Sequence, residues 1–412
     1  MADRLEVVVI GAGAAGLVAA ISAARAGSAV TVCERLPVVG KKLLATGGGR
    51  CNLLNDRLAA DAFTSTDAGF VASVLERFGG REIRSFFEGL GLRLQTDDGG
   101  RVYPATNQAA SVLKVLELEI ERLGVRLRTG FDVARIEARN GAFQIAAADG
   151  RKIQAHSVVL TGGGRSYPAL GSNGSAYRLA TSFGHRTIEP VPSAVPVLVK
   201  DRLCHFLQGQ RLRVRIESRV GGRAMQKAEG ELLFTQYGLS GTAVLDVSES
   251  LSIALNRDGR KDASVVVDLL PFMAEEEAAA ELCRRLETGW APKDLTSGLL
   301  PEKFSLVMPQ LVREAPPGPA QSAPSETGRR LAALLKARNF PVLGTRGWNE
   351  AEFTSGGVDA REVKPRTLES KLTSGLYFAG EVLDVQGGRG GFNLAWAWAS
   401  GFVAGLEAGS AS

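Results

Sequence analysis

The chain has 412 residues, more than one ordinary core can organise, since cores stop growing at about 250 to 300 residues, so two or three domains are expected. Apolar residues make up 45% and charged residues 23%, the balance of a packed soluble protein, which excludes a disordered or fibrous chain. The 49 Lys and Arg against 44 Asp and Glu leave a net charge of +5, a mild bias toward an anionic partner such as nucleic acid or a phosphorylated ligand.

Leu5 to Ile10 reads as a short Val-rich strand, an Ala-rich helix runs on to about Gly27, and Ala29 to Glu34 reads as a second strand, together a βαβ opening. Residues 7 to 24 carry no charge, but their three glycines at loop spacing and the preceding Asp3, Arg4 and Glu6 exclude a membrane span or a signal peptide. A glycine- and lysine-containing loop follows over 36 to 57, then amphipathic helices at about 67–78 and 80–90, then a long helix (AASVLKVLELEIERLG) capped by Asn107.

From Val125 to Thr161 the period changes to two. VRLR, FDVARIEA, AFQIAAA and SVVL are separated in part by Asn140-Gly141 and Asp149-Gly150 turns, which predicts an antiparallel meander over about 125–160 leading back to a buried strand. Pro190, Pro192 and Pro196 mark a boundary. Residues 192–340 are expected to form an insert, β-rich over about 192–250 and helical over about 264–340, with residues 315–324 (APPGPAQSAP) as a low-complexity loop. Residues 1–191 plus 341–412 would then form one α/β domain built from both chain ends.

Gly11-Ala12-Gly13-Ala14-Ala15-Gly16 is a G-x-G-x-x-G between a strand and a helix, with Glu34 ending the next strand. The glycines let backbone approach a pyrophosphate, the helix N-terminus offers free N–H groups, and Glu34 can accept from ribose hydroxyls. At the far end, Gly380-Glu381 after LYFA and Gly391-Phe392-Asn393 before an apolar helix offer the second grip that FAD needs: a carboxylate for the ribityl hydroxyls and a helix N-terminus for the flavin pyrimidine edge.

The four cysteines (Cys33, Cys51, Cys204, Cys283) and three histidines (His156, His185, His205) are scattered, so we expect a reducing cytoplasm and no metal. In Arg211-Leu212-Arg213-Val214-Arg215-Ile216, arginines alternate with aliphatics, placing three guanidiniums on one strand face. A solvated face is the plain reading, and a phosphate-binding surface is the competing one.

These motifs, with GKKLLATGGGRCN (40–52), TGGGRSYPALGSNG (161–174), LLFTQYGLSG (232–241) and TSGGV followed by SKLTSGLYFAGEVLDVQGGRGGFNLAWAWASG (354–401), resemble those of the BaiN/RdsA-type bacterial flavoproteins, a family within the two-dinucleotide-binding-domain flavoproteins. The resemblance implies a Rossmann-like FAD domain interrupted by an insert with a β-barrel and a small helical subdomain. By motif, it places FAD contacts on Gly11, Ala12, Gly13, Ala14, Ala15, Gly16, Glu34, Arg35, Lys42, Leu43, Gly49, Arg50, Cys51, Asn52, Val133 (by its backbone), Thr161, Gly162, Gly163, Gly380, Glu381, Gly391, Phe392, Asn393 and Leu394. The chain departs from the family pattern at Gln236, usually His, and at Gly388-Arg389, commonly a small residue and Thr.

The resemblance implies an FAD-dependent oxidoreductase. With no second G-x-G-x-x-G in strand–helix context, NAD(P)H would visit the flavin face only transiently. Cys51 and Arg389 are the catalytic candidates that the family's loops bring near the cofactor, a packing role being the plainer one for Cys51. The basic insert favours uracil reduction to dihydrouridine in ribosomal RNA, with Arg211, Arg213 and Arg215 meeting the anionic substrate. A bile-acid-like enone reductase, an amine oxidase and a non-catalytic RNA-binding flavoprotein are the alternatives.

Overall fold

The computed structural model describes residues 6–139, 141–314 and 324–410. Leu5, Asn140 and residues 315–323, on which parts of the first strand, one turn and the low-complexity loop were expected, lie outside the described residues. The chain divides into a unit of Met1–Pro190 with Phe353–Ser412 and a second of Val191–Glu352. The interruption therefore runs past residue 340, and the stretch 341–352 belongs with the insert.

In the first unit, β1 (Glu6–Ile10) is the centre of a five-stranded sheet. Its Val7, Val8 and Val9 are wholly buried, as a parallel strand covered on both faces requires. It pairs in parallel with β2 (Ala29–Cys33) on one side and Ser157–Leu160 on the other. Leu376–Phe378, from the far end of the chain, adds beyond Ser157–Leu160, again parallel. The opposite edge is Arg126–Arg128, parallel to β2, which corrects its assignment to the meander. An Arg-Leu-Arg alternation reads alike for an exposed edge strand of either sheet. The meander is three strands, Val133–Arg139, Ala142–Ala147 and Lys152–Ala155.

The long helix spans Ala109–Arg122 with Gln108 at its N-cap, and no side chain caps it. Asn107 instead adopts a left-handed φ of 53° in the turn before it, a conformation that asparagine tolerates better than most residues.

Two helices cover the glycine turn: α1 (Ala14–Arg25) and the C-terminal helix Phe392–Ser410. They meet through small residues. A Cβ at Gly401, Gly405 or Gly409 would collide with backbone at Ala15, Ala19 and Ala23, one turn apart. Ser22 and Ser28 hydroxyls donate to the Phe402 and Gly409 carbonyls across the seam, so the backbones close directly on one another.

The second unit holds a seven-stranded sheet whose long hairpin is Arg211–Val220 with Arg223–Thr235. Its two edge strands, Arg338–Pro341 and Gly344–Thr345, are separated by two residues. Val342 N–H donates to Ala263 O and Leu343 N–H to Leu198 O, so the sheet curls until its ends meet. Residues Thr242–Ser252, within the stretch expected to be β-rich, are helical, because Val244, Val247 and Leu251 supply an apolar face that is buried. Helices Glu275–Glu287, Met308–Glu314 and Pro324–Lys336 belong to the same unit, with Cys283 Sγ donating to Ser325 O.

Candidate functional site

The glycine turn divides its labour. Gly11 has a φ of 103°, and a Cβ there would lie 2.7 Å from Thr161 O. A Cβ at Gly16 would overlap the Gly11 carbonyl oxygen. These two glycines are needed to bring β1, α1 and the Thr161-Gly162-Gly163 segment together. Gly13 is different, since nothing lies within 4 Å of a Cβ there. Gly13 is the N-cap of α1, with no side-chain cap and no acidic residue in the first turn, so the first-turn N–H groups lie uncapped by any side chain at the positive end of the helix, beside the open space at Gly13. A pyrophosphate fits such a cradle.

Glu34 sits at the end of β2 and is half-buried. Its Oε2 accepts the Ala12 N–H and its Oε1 the Leu36 N–H, both at 2.8 Å, which fixes the carboxylate beside the turn with lone pairs left for hydroxyl donors. Glu34 also bonds through its backbone to Arg128 O and Phe131 N, and Val133, two residues beyond Phe131, is buried and pairs with Ala147 in the meander. Arg35 donates to Gly171 O.

Residues from three distant segments meet at Glu381. Its Oε2 lies 2.7 Å from Lys42 Nζ, and its Oε1 accepts from Ser166 Oγ at 3.1 Å and from the Thr354 N–H at 2.8 Å. Lys42 also reaches Ser166 Oγ at 2.6 Å. The neighbouring Leu43 is buried. Gly380, with a φ of 77°, turns the chain so that a Cβ would be 2.8 Å from the Ala15 side chain. Ser166 and Thr354 lie inside the TGGGRSYP and TSGGV motifs, so position within a motif was the one signal for them.

In the loop before Cys51, Gly47, Gly48 and Gly49 have φ of 58°, 66° and 86° and are exposed. Arg50 places its guanidinium 4.9 Å from the Tyr103 ring centre. Cys51 is wholly buried, and burial pushes its thiol up to about 12, so it offers no thiolate at neutral pH. Cys33 and Cys204 are raised to about 12 by the same cause.

Asn52 approaches the other helix start. A Cβ at Gly391 would lie 2.5 Å from Leu54 O and 2.9 Å from Asn52 Oδ1. That Oδ1 is a buried acceptor with no partner among the described residues, which an N–H of a ligand would satisfy. Asn393 brackets Gly387, accepting its N–H at 2.9 Å and donating to its carbonyl at 2.8 Å, and Asn55 Nδ2 holds Gly390 O. Phe392 and Leu394 begin the helix, half-buried, and Arg389 is half-buried in the loop before it. The turn at Gly11 to Gly16, Glu34, Lys42, Glu381, Asn52 and the Gly391 helix start thus line one unit, and as a set they fit a dinucleotide.

Arg211, Arg213 and Arg215 lie on the long hairpin of the second unit. Each is paired: Arg211 with Glu231 at 2.7 Å, and Arg213 and Arg215 with Glu229 at 2.9 and 3.3 Å. Arg219 and Lys227 share Glu217. Among the described residues no group of three or more His, Cys, Asp and Glu is placed to hold a metal, and no helix is long and apolar enough to cross a membrane.

The HI0933-like protein Rossmann domain model matches residues 5–407. The chain is similar, at 37% identity over 97% of its length and 98% of the relative, to a 3-dehydro-bile acid delta(4,6)-reductase of Clostridium scindens. It is 29% identical, over 99% of both chains, to a ribosomal RNA dihydrouridine synthase of Haemophilus influenzae. Among solved structures it resembles a 3-ketosteroid-delta4-(5alpha)-dehydrogenase from Rhodococcus jostii RHA1, with a TM-score of 0.51 and 19% identity over 98% of this chain and 97% of the other, a likeness of fold.

Proposed function

The chain belongs to the HI0933-like Rossmann-domain family and is an FAD-dependent oxidoreductase; from that premise we propose that it adds hydride and a proton across a C=C bond conjugated to a carbonyl in a small-molecule enone. Bound FAD, once reduced, supplies the hydride. The residues of this chain hold and orient it. The free N–H groups at the start of α1 take the pyrophosphate, and Glu34, fixed by Ala12 and Leu36, takes the ribose. Glu381, held by Ser166, Thr354 and Lys42, takes the ribityl hydroxyls. The N-terminus of the Phe392–Ser410 helix stabilises negative charge at the pyrimidine edge. A reduced nicotinamide, NADH or NADPH, is the proposed electron donor, reaching the flavin transiently.

The two named relatives act on different molecules through one chemistry. Dihydrouridine differs from uridine by two hydrogens across a bond conjugated to a ring carbonyl, and the delta-4 bond of a 3-oxo steroid is likewise conjugated. What supports the small-molecule class is the state of the arginine run, in which Arg211, Arg213 and Arg215 share Glu229 and Glu231, so the local basic excess that phosphates would need is reduced. A second reading, uracil in ribosomal RNA, draws on the names of two relatives, at 29% and 30% identity.

Anaerobic incubation of the holoprotein with NAD(P)H and a 3-oxo-delta-4 steroid acid tests the first reading, the expected result being a product with two added hydrogens by mass spectrometry. No turnover, together with loss of dihydrouridine from the ribosomal RNA of a deletion strain, would replace it with the second.

A further inference from the structure

The second unit contains a cavity of about 430 Å³ lined by residues of that unit. It arises where a strand ends early. Ala263–Asp268 pairs with the long hairpin only as far as Arg215, opposite Asp268, and beyond it Pro271 has no N–H with which to continue a ladder. The chain leaves the sheet there, so Leu269, Pro271 and Phe272 become one wall, Leu299, Leu300 and Pro301 the other, and Leu212, Arg213, Arg215 and Glu229 complete the lining.

Two features make this more than a surface fold. Phe272 stands 65% exposed at the rim, an aromatic ring left in water with an apolar floor beside it. The charge at the other side is unbalanced. Glu229 accepts the Nε–H of Arg213 and of Arg215, so one carboxylate is shared by two guanidiniums. Asp268, opposite Arg215 in the ladder, is taken by Lys336 at 2.7 Å and by the Leu270 N–H, and cannot supply the second negative charge.

We propose that this groove is a binding site for a small amphipathic anion, its rigid apolar body on Phe272, Leu269, Leu299 and Pro301 and its carboxylate or sulfonate on the guanidiniums of Arg213 and Arg215. The volume is within the ordinary range for such ligands, and a planar or forked oxyanion suits paired guanidiniums. A nucleobase fits less well. Among the described lining residues Glu229 is the only acceptor side chain and is already used by both arginines, so the N–H donors of a base would go without a side-chain acceptor. The inference concerns binding in the insert and does not rest on the reductase reading.

The test is calorimetric titration of the FAD-loaded full chain with 8-anilinonaphthalene-1-sulfonate, an apolar body bearing one sulfonate. N-phenyl-1-naphthylamine, the same body without the charge, is the control. The sulfonate probe is expected to bind with a saturable single site. Arg213→Gln with Arg215→Gln should weaken it by about tenfold or more while leaving the neutral probe unaffected, and Phe272→Ser should weaken both. Phe272→Ser leaves an exposed position more polar, so both variants are expected to fold and to keep FAD. Binding of the sulfonate that is unchanged in both variants would overturn the proposal. So would displacement of the probe by oligouridylate in a manner that both variants abolish, which would make the groove an RNA surface.

Discussion

Lys42 Nζ lies 2.7 Å from Glu381 Oε2, across 339 residues of chain. Both side chains are about a quarter exposed, so the pair itself adds only about 0.5–1 kcal/mol to folding. Its consequence is for the ligand: the lysine helps fix the orientation in which the Glu381 carboxylate is presented. Lys42→Met should leave thermal stability within a few degrees of wild type and weaken FAD binding by about tenfold, as loss of a charge-assisted contact does. Equilibrium dialysis of flavin against the refolded apoprotein measures this, and an unchanged FAD affinity would remove Lys42 from the site.

The two kinds of glycine in the turn separate by substitution. Gly13→Ala should fold as wild type, because its Cβ meets no protein atom, and should weaken FAD binding, because that open space is the pyrophosphate cradle. Gly13→Trp should fold and lose FAD by filling the pyrophosphate cradle. Gly16→Ala should fail differently, since its Cβ meets the Gly11 carbonyl and the overlap costs several kcal/mol. Circular dichroism with flavin absorbance distinguishes a folded, colourless protein from an unfolded one. Recovery of bound FAD in Gly13→Trp would refute the cradle.

The parallel sheet was legible because its central strands are short, mostly apolar and followed by a glycine turn or a helix, a pattern few other arrangements produce. Arg126–Arg128 was not, because three alternating residues at an exposed edge carry no signal for which neighbour they pair with. Thr242–Ser252 was read as β-type because its Val, Leu and Ser content suits either state, and only the burial of Val244, Val247 and Leu251 on one face decides. At the site, Glu34 and the glycines announce themselves by spacing. Ser166 and Thr354 act through a carboxylate that arrives from a distant segment, and local pattern does not report such contacts. The same holds for the arginine strip: its counter-charges, Glu229 and Glu231, stand on the returning strand of the hairpin, outside the Arg211 to Ile216 run.

Cys33, Cys51 and Cys204 are buried, with thiols pushed up to about 12 by burial. Iodoacetamide at pH 8 should therefore leave all three unmodified in the folded protein and label them only after denaturation. Peptide mass spectrometry reads the outcome site by site. Rapid alkylation of Cys51 in the native state would restore it as a reactive thiol.

Acid stability should depend on Glu119. Its carboxyl is lowered from an ordinary 4.5 to about 2 by hydrogen bonds from Arg122 and then Arg25, against an opposing effect of burial. A depressed carboxylate adds stability that is complete above its unfolded value, and this is lost as pH falls from about 4.5 through about 2. Glu119→Gln should be less stable than wild type at pH 7, with the difference shrinking toward pH 2. Urea unfolding at a series of pH values tests the slope, and a constant difference across that window would show that the charge of Glu119 is not what stabilises the fold.

The last prediction separates the two substrate classes at the arginine strip. If Arg211, Arg213 and Arg215 contacted RNA phosphates, replacing all three with Gln would flatten the dependence of log affinity on log salt by roughly 0.7 to 0.9 per lost contact. In the folded chain Glu231 and Glu229 offset two of the three positive charges, so the strip presents far less excess charge to RNA than the run of arginines suggests. The triple variant should therefore bind a ribosomal RNA fragment with nearly the wild-type salt slope, keep its FAD and keep reduction of the enone. Because the three side chains are 59% to 77% exposed, their replacement should change stability by less than about 1 kcal/mol, so altered binding could not be attributed to unfolding. A slope that flattens by two or more, with dihydrouridine formation falling in step, would return the strip to RNA and make uracil the substrate.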